Sequence, residues 1–190
     1  MKKYFIILIF IVSGTVYSQE TEFRGINTRF SGTDAWTSWS IDTKSGSGSM
    51  STIFSGEDAW KDWRINLPDG DGTIRAVFSG DDAWKNWRFS FEKIDGTIST
   101  VFSGNNAWTD WRISDGKTTL NVSTVFSGDD AWKSWRITGS EGDIRVSARF
   151  SGSDAWRDWD IDDNMLNENE YLKMAAIFAC VISGIIVEVR

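Results

Sequence analysis

Histidine is absent from the 190 residues, and cysteine and proline occur once each. Without histidine there is no imidazole acid–base chemistry, no Ser-His-Asp hydrolysis and no usual zinc site. A single cysteine, Cys180, rules out an intramolecular disulfide. It lies in an apolar run, where a thiol serves as a small buried hydrophobe. A chain without such staples must be held by packing or by stacking of repeats. Positive charge is also scarce: 20 basic residues face 27 acidic ones, for a net charge of −7. A negative field disfavours nucleic acid and anionic lipid as general partners.

The N-terminus reads as a targeting segment. Lys2 and Lys3 precede an apolar run from Phe5 to Val12, then a smaller, more polar stretch from Ser13 to Ser18. This is the signal-peptide pattern, and the run is too short for an ordinary membrane span. Cleavage after Ser18 is expected, with residues 1–18 removed. The loss of two lysines and no acid takes the formal charge from −7 to −9. The Lys-Lys start and the Ser18–Gln19 cut resemble those of secreted proteins in bacteria of the Bacteroides–Flavobacterium type. That resemblance implies a secreted, periplasmic or cell-surface location. No stable membrane span is expected after cleavage.

What the chain has in abundance is one phrase. Phe30-Ser-Gly-Thr-Asp-Ala-Trp36-Thr-Ser-Trp39 returns from Phe54, Phe78, Phe102, Phe126 and Phe150, at a constant step of 24 residues. All 12 tryptophans fall in these six copies. Fixed-period self-similarity of this kind marks a repeat architecture. Each copy begins with period-two alternation, as in Ile74, Ala76 and Phe78, which predicts a strand with one buried face. The invariant glycine breaks the strand. The two tryptophans, three apart, suit a single helical or 3₁₀ turn; an extended segment is the other possibility and would point them to opposite sides. A capping role is expected for the residue after glycine, and a first-turn role for the next acid. The second tryptophan and a following apolar residue, as in Trp63 and Ile65, form a second short strand. Variable Gly-rich connections then read as hairpins.

The expected fold is all-β: six strand–short helical turn–strand units making an antiparallel, solenoid-like stack over residues 19–163. A closed six-fold barrel or ring is the alternative. Residues 164–190 are expected to cap the last repeat, with a helix stopped near Gly184 and a final strand through Ile185–Val189. The structural ladder is assigned to Phe30, Phe54, Phe78, Phe102, Phe126 and Phe150, and to Trp36, Trp60, Trp84, Trp108, Trp132 and Trp156. The repeating arginines (Arg64, Arg88, Arg112, Arg136) are expected to pair laterally with the repeating aspartates.

Function follows less directly. A unique catalytic constellation is hard to build when nearly every acid belongs to a repeat, so the chain is read as non-enzymatic, without a cofactor. The leading reading is a secreted structural or protein-interaction scaffold acting through its surface. The alternative is a polysaccharide-binding module that stacks sugar rings on Trp39, Trp63, Trp87, Trp111, Trp135 and Trp159. Asp58, Asp82 and Asp130 are candidate calcium ligands near the glycine turn. Calcium, however, wants six to eight converging oxygens.

Overall fold

A computed structural model describes residues 22–92 and 94–188; residues 1–18, read as a signal peptide, lie outside the described residues. Twelve strands follow in order: β1 (Phe23–Thr28), β2 (Ser38–Thr43), β3 (Gly46–Thr52), β4 (Asp62–Leu67), β5 (Gly70–Ala76), β6 (Asn86–Phe91), β7 (Ile94–Thr100), β8 (Asp110–Ser114), β9 (Thr119–Thr124), β10 (Ser134–Gly139), β11 (Gly142–Ala148) and β12 (Asp158–Asp163). One helix, α1 (Glu170–Glu188), ends the described chain.

Each strand pairs antiparallel with its neighbours in sequence, and β1 pairs with β12 through Gly25–Asp160, Ile26–Trp159 and Asn27–Asp158. The sheet is therefore a closed barrel, the alternative to the open stack. Closure removes both edges, so no terminal cap is needed. Alternation holds within the strands. Trp63, Ile65 and Ile74 point inward and are fully buried, while Arg64 and Arg75 face out. The two ends of the barrel differ. At one end lie five variable hairpin connections, such as Leu67–Gly70. At the other end lie the six copies of the repeated phrase, hereafter turns 1 to 6.

A barrel of about eight strands is filled by its own side chains; wider ones hold something else. Here the lumen holds α1. Phe178 meets Trp63 and Trp87 edge-on, with centroids at 5.8 and 5.1 Å. Ser183 accepts a hydrogen bond from Trp111 Nε1 at 3.0 Å. The helix enters at the hairpin end, where the Tyr171 hydroxyl donates to the Asp69 carbonyl at 2.8 Å. It leaves at the turn end, where Val187 lines a groove with Trp108 and Phe126. Nineteen residues span roughly 28 Å, enough to run the length of the barrel. A helix apolar all round is one that is covered all round. By length and composition α1 could cross a membrane, yet 83% of that window is buried inside the barrel.

Two expectations for the tail are corrected. Helix α1 does not stop at Gly184, and Ile185–Val187 is helical, not a strand. Gly184 serves packing: a Cβ there would come within 3.0 Å of Trp159 and 3.3 Å of Trp132. The bare backbone lets the helix lie against two indoles.

Candidate functional site

The 3₁₀ turn expected between the tryptophans is present in all six copies, as Ala-Trp-x. The glycine before it takes φ between +89° and +106°, which only glycine adopts without strain. The residue two positions further on, aspartate in five copies and Asn106 in the fourth, flanks the turn but makes no side-chain capping bond in any copy. The capping role expected for this segment is therefore not filled by side chains. The backbone closes the turn itself, as in the Ala59 N–H donating to the Gly56 carbonyl at 3.0 Å.

Inside, the tryptophans form a ring. The first indole of each copy meets the second indole of the next edge-to-face. The pairs are Trp36–Trp63, Trp60–Trp87, Trp84–Trp111, Trp108–Trp135, Trp132–Trp159 and Trp156–Trp39, at 5.8–6.4 Å. Such pairs are worth about 0.5–1.5 kcal/mol each beyond burial. Each second indole also donates from Nε1 to the carbonyl of the first, at 2.5–2.8 Å. Trp39, Trp63, Trp87, Trp111, Trp135 and Trp159 are fully buried. They present no face for stacking a sugar ring. Trp60, Trp132 and Trp156 are also buried, and Trp36, Trp84 and Trp108 are half-buried.

The phenylalanines do the opposite of what alternation predicts. Phe30, Phe54, Phe78, Phe102, Phe126 and Phe150 are 60–67% exposed. The assignment of these six to the internal ladder is corrected. The physical reason lies just before the phenylalanine. Each strand ends two residues before the phenylalanine, and the chain bends at the next two. Parity carried past a strand end has no meaning. Below the bend, the alanine and first tryptophan of the turn fill the interior. Val77, Val101 and Val125, just before three of the phenylalanines, add exposed apolar surface.

The candidate calcium ligands are placed on the same end. The side chains of Asp58, Asp82 and Asp130 are 79% exposed and pair with Lys61, Lys85 and Lys133 at 2.6, 2.6 and 2.5 Å. Among the described residues no three His, Cys, Asp or Glu side chains converge as a metal site. The lateral arginine–aspartate ladder does not form as expected. Among the described residues, Arg136 alone of the four repeating arginines makes an ion pair, and its partner is Asp143, outside the repeated phrase. Asp58, Asp82 and Asp130 turn instead to the lysine three residues on, and Asp154 to Arg157.

The hairpin end holds one arrangement that sequence reasoning missed. Lys173 of α1 and Asp163 of β12 form a fully buried ion pair at 2.8 Å. Lys173 also donates to the Met165 carbonyl at 3.2 Å. The Asp163 carboxylate accepts from the Phe23 N–H at 3.1 Å and the Met165 N–H at 3.0 Å. This cluster ties the mouth of the lumen to the β1–β12 seam. The available signal was a lone lysine beside a long apolar run. Nearby, Tyr171 is pushed up to about 12, first by burial and then by the charges of Glu170, Glu92 and Asp69. Burial holds the Cys180 thiol well above its usual range, so it stays an inert packing group.

The chemistry on offer is thus a filled barrel with an aromatic-rimmed end. No protein-family model matches the sequence, and comparison with curated proteins and with solved structures likewise gives no match.

Proposed function

We propose that the chain is a secreted, non-enzymatic scaffold that holds a protein partner against the turn end of the barrel. The six exposed phenylalanines carry this reading. Most of each ring lies in solvent, yet all six copies keep them. Their exposed neighbour after glycine drifts freely, as Thr33, Glu57, Asp81, Asn105, Asp129 and Ser153. Six exposed phenylalanines on successive turns at one end of the barrel are more apolar surface than scattered single side chains, which need no explanation, would leave there. Phenylalanine is also among the aromatic residues enriched at interfaces. Stacking of glycan on the second tryptophans has no open indole face to work with.

The test is site-specific photocrosslinking at the cell surface of the source organism. A benzoyl-phenylalanine at position 54 or 102 is expected to capture a discrete protein partner. The same group at Lys117, in an exposed hairpin, is expected to capture none. Equal labelling from both ends would overturn the reading.

A further inference from the structure

Four of the six turns hold a cation in the same way. In turns 2, 3 and 5 the ammonium of Lys61, Lys85 and Lys133 lies between the carboxylate three residues back and the preceding indole. The oxygens are at 2.5–2.6 Å and the ring centroids at 5.5, 5.3 and 5.2 Å. In turn 6 the guanidinium of Arg157 does the same with Asp154 at 3.1 Å and Trp156 at 5.0 Å. The cations are only 19–28% exposed, so each sinks into its cradle. An ion pair on one side and a ring quadrupole on the other is a complete recognition set for an ammonium or guanidinium.

Turns 1 and 4 carry threonine where the cation belongs. In turn 4 the carboxylate is gone too, replaced by Asn106. In turn 1 it remains. Asp34 and Trp36 stand in the cradle positions, and the backbone at Asp34 (φ −95°, ψ 12°) matches that at Asp58 (φ −93°, ψ 3°). Thr37 is too short to fill the space, and its hydroxyl turns to the Asp34 carbonyl at 2.7 Å. Asp34 is exposed, Trp36 is half-buried, and neither meets a cation among the described residues. Turn 1 is thus the one copy with both halves of the cradle and no internal occupant. The closest analogue of a filled site is built next door four times over.

We infer that the Asp34–Trp36 cradle is a binding site for a lysine or arginine side chain of the protein partner. This rests on the reading of the turn end as the binding face and adds the partner's chemistry: a cation flanked by apolar groups. Charge complementarity favours it. The exposed turn residues Asp34, Glu57, Asp81 and Asp129 lack ion-pair partners among the described residues, and the chain is acidic overall. The site also answers a geometric problem. Six near-equivalent phenylalanines offer six near-equivalent registers. A vacancy in turn 1 alone selects one of them.

The test uses the twelve indole N–H resonances of the ¹⁵N-labelled protein, with the Trp36 signal assigned by Trp36→Phe. The probes are the blocked tripeptide Leu-Lys-Leu and its ε-acetyl form. The lysine peptide is expected to move the Trp36 signal saturably, and the acetylated one to leave it in place. Thr37→Lys supplies the missing cation internally. It is expected to shift the same signal without ligand and to abolish the response to peptide. Asp34→Asn is expected to weaken binding about threefold or more. No Trp36 response, or an equal one to the acetylated peptide or in Thr37→Lys, overturns the inference. The two readings fail separately. If Thr37→Lys leaves crosslinking at position 102 intact and the Trp36 signal is silent, the cradle is wrong and the face stands. If position 102 captures nothing, the face itself is wrong.

Discussion

The two ends of the barrel are built from the same repeat and follow opposite rules. At the turn end the sequence is kept six times over, and its most prominent residue lies in solvent. At the hairpin end the sequence varies from copy to copy, and the most consequential group is a buried ion pair. Repetition therefore marks two different things in one phrase. The tryptophans recur because each must meet its neighbour across a closed ring. The phenylalanines recur at positions where most of the ring lies in solvent. A difference in burial, invisible in the repeat itself, separates the tryptophans that build the barrel from the phenylalanines that lie in solvent.

The largest test of this division is removal of α1. Twelve strands closed without the helix would leave a wide apolar lumen lined by indoles. A chain ended after Asn169 is expected to lose its fixed tertiary packing. Near-UV circular dichroism should collapse, and a hydrophobic dye should bind. A truncated protein with an unchanged near-UV spectrum would show that the barrel stands without its filling.

The next test separates the ends. Lys173→Ala leaves the Asp163 carboxylate buried and unpaired, which costs about 3–5 kcal/mol. Lys173→Met combined with Asp163→Asn removes both charges and is expected to recover part of that loss. Denaturant unfolding measures both. A cost under about 1 kcal/mol for Lys173→Ala would mean that water reaches the pair.

A smaller effect is expected from Tyr171 in alkali. Its hydroxyl is held up to about 12, first by burial. The unfolded chain would release that proton near 10. Between these values the folded state binds more protons than the unfolded one. Stability from this group is thus full below pH 10 and falls as the pH rises towards 12. Tyr171→Phe is expected to flatten that part of the alkaline slope in thermal melts. An identical slope in the variant would place the loss on other groups.

Much of this was legible in the residues, and the misreadings have local causes. The constant step, the alternation within strands and the turn between paired tryptophans follow from short-range chemistry, and the structure contains them. Closure could be stated only as an alternative, because Ile26 meets Trp159 across almost the whole chain and nothing near either residue encodes the meeting. A period of two extended beyond the last paired residue points the phenylalanines inward, where the bend turns them out. Gly184 reads as a stop because glycine ends helices in water. Between two indoles it is the residue that lets a helix pass. The vacant cradle was legible in principle: Thr37 stands where Lys61, Lys85, Lys133 and Arg157 stand in other copies. Its meaning needed the sight of four filled ones.

The smallest expected effect is the most informative about the turn end. Trp111 and Phe102 belong to the same copy, and both are large aromatic residues. Trp111→Ala empties a fully buried site and should cost about 3–5 kcal/mol. Phe102→Ser removes a side chain that is 61% exposed, at the bend before Gly104, and should change stability by no more than about 0.5 kcal/mol. Replacing all six phenylalanines by serine should then leave the melting transition nearly where it was, while eliminating crosslinking from the turn end. Denaturant midpoints for the two single variants, measured side by side, decide the matter. If Phe102→Ser costs as much as Trp111→Ala, the phenylalanines are structural after all. The contrast between the two ends would then lose its meaning, because packing alone would account for every repeated residue.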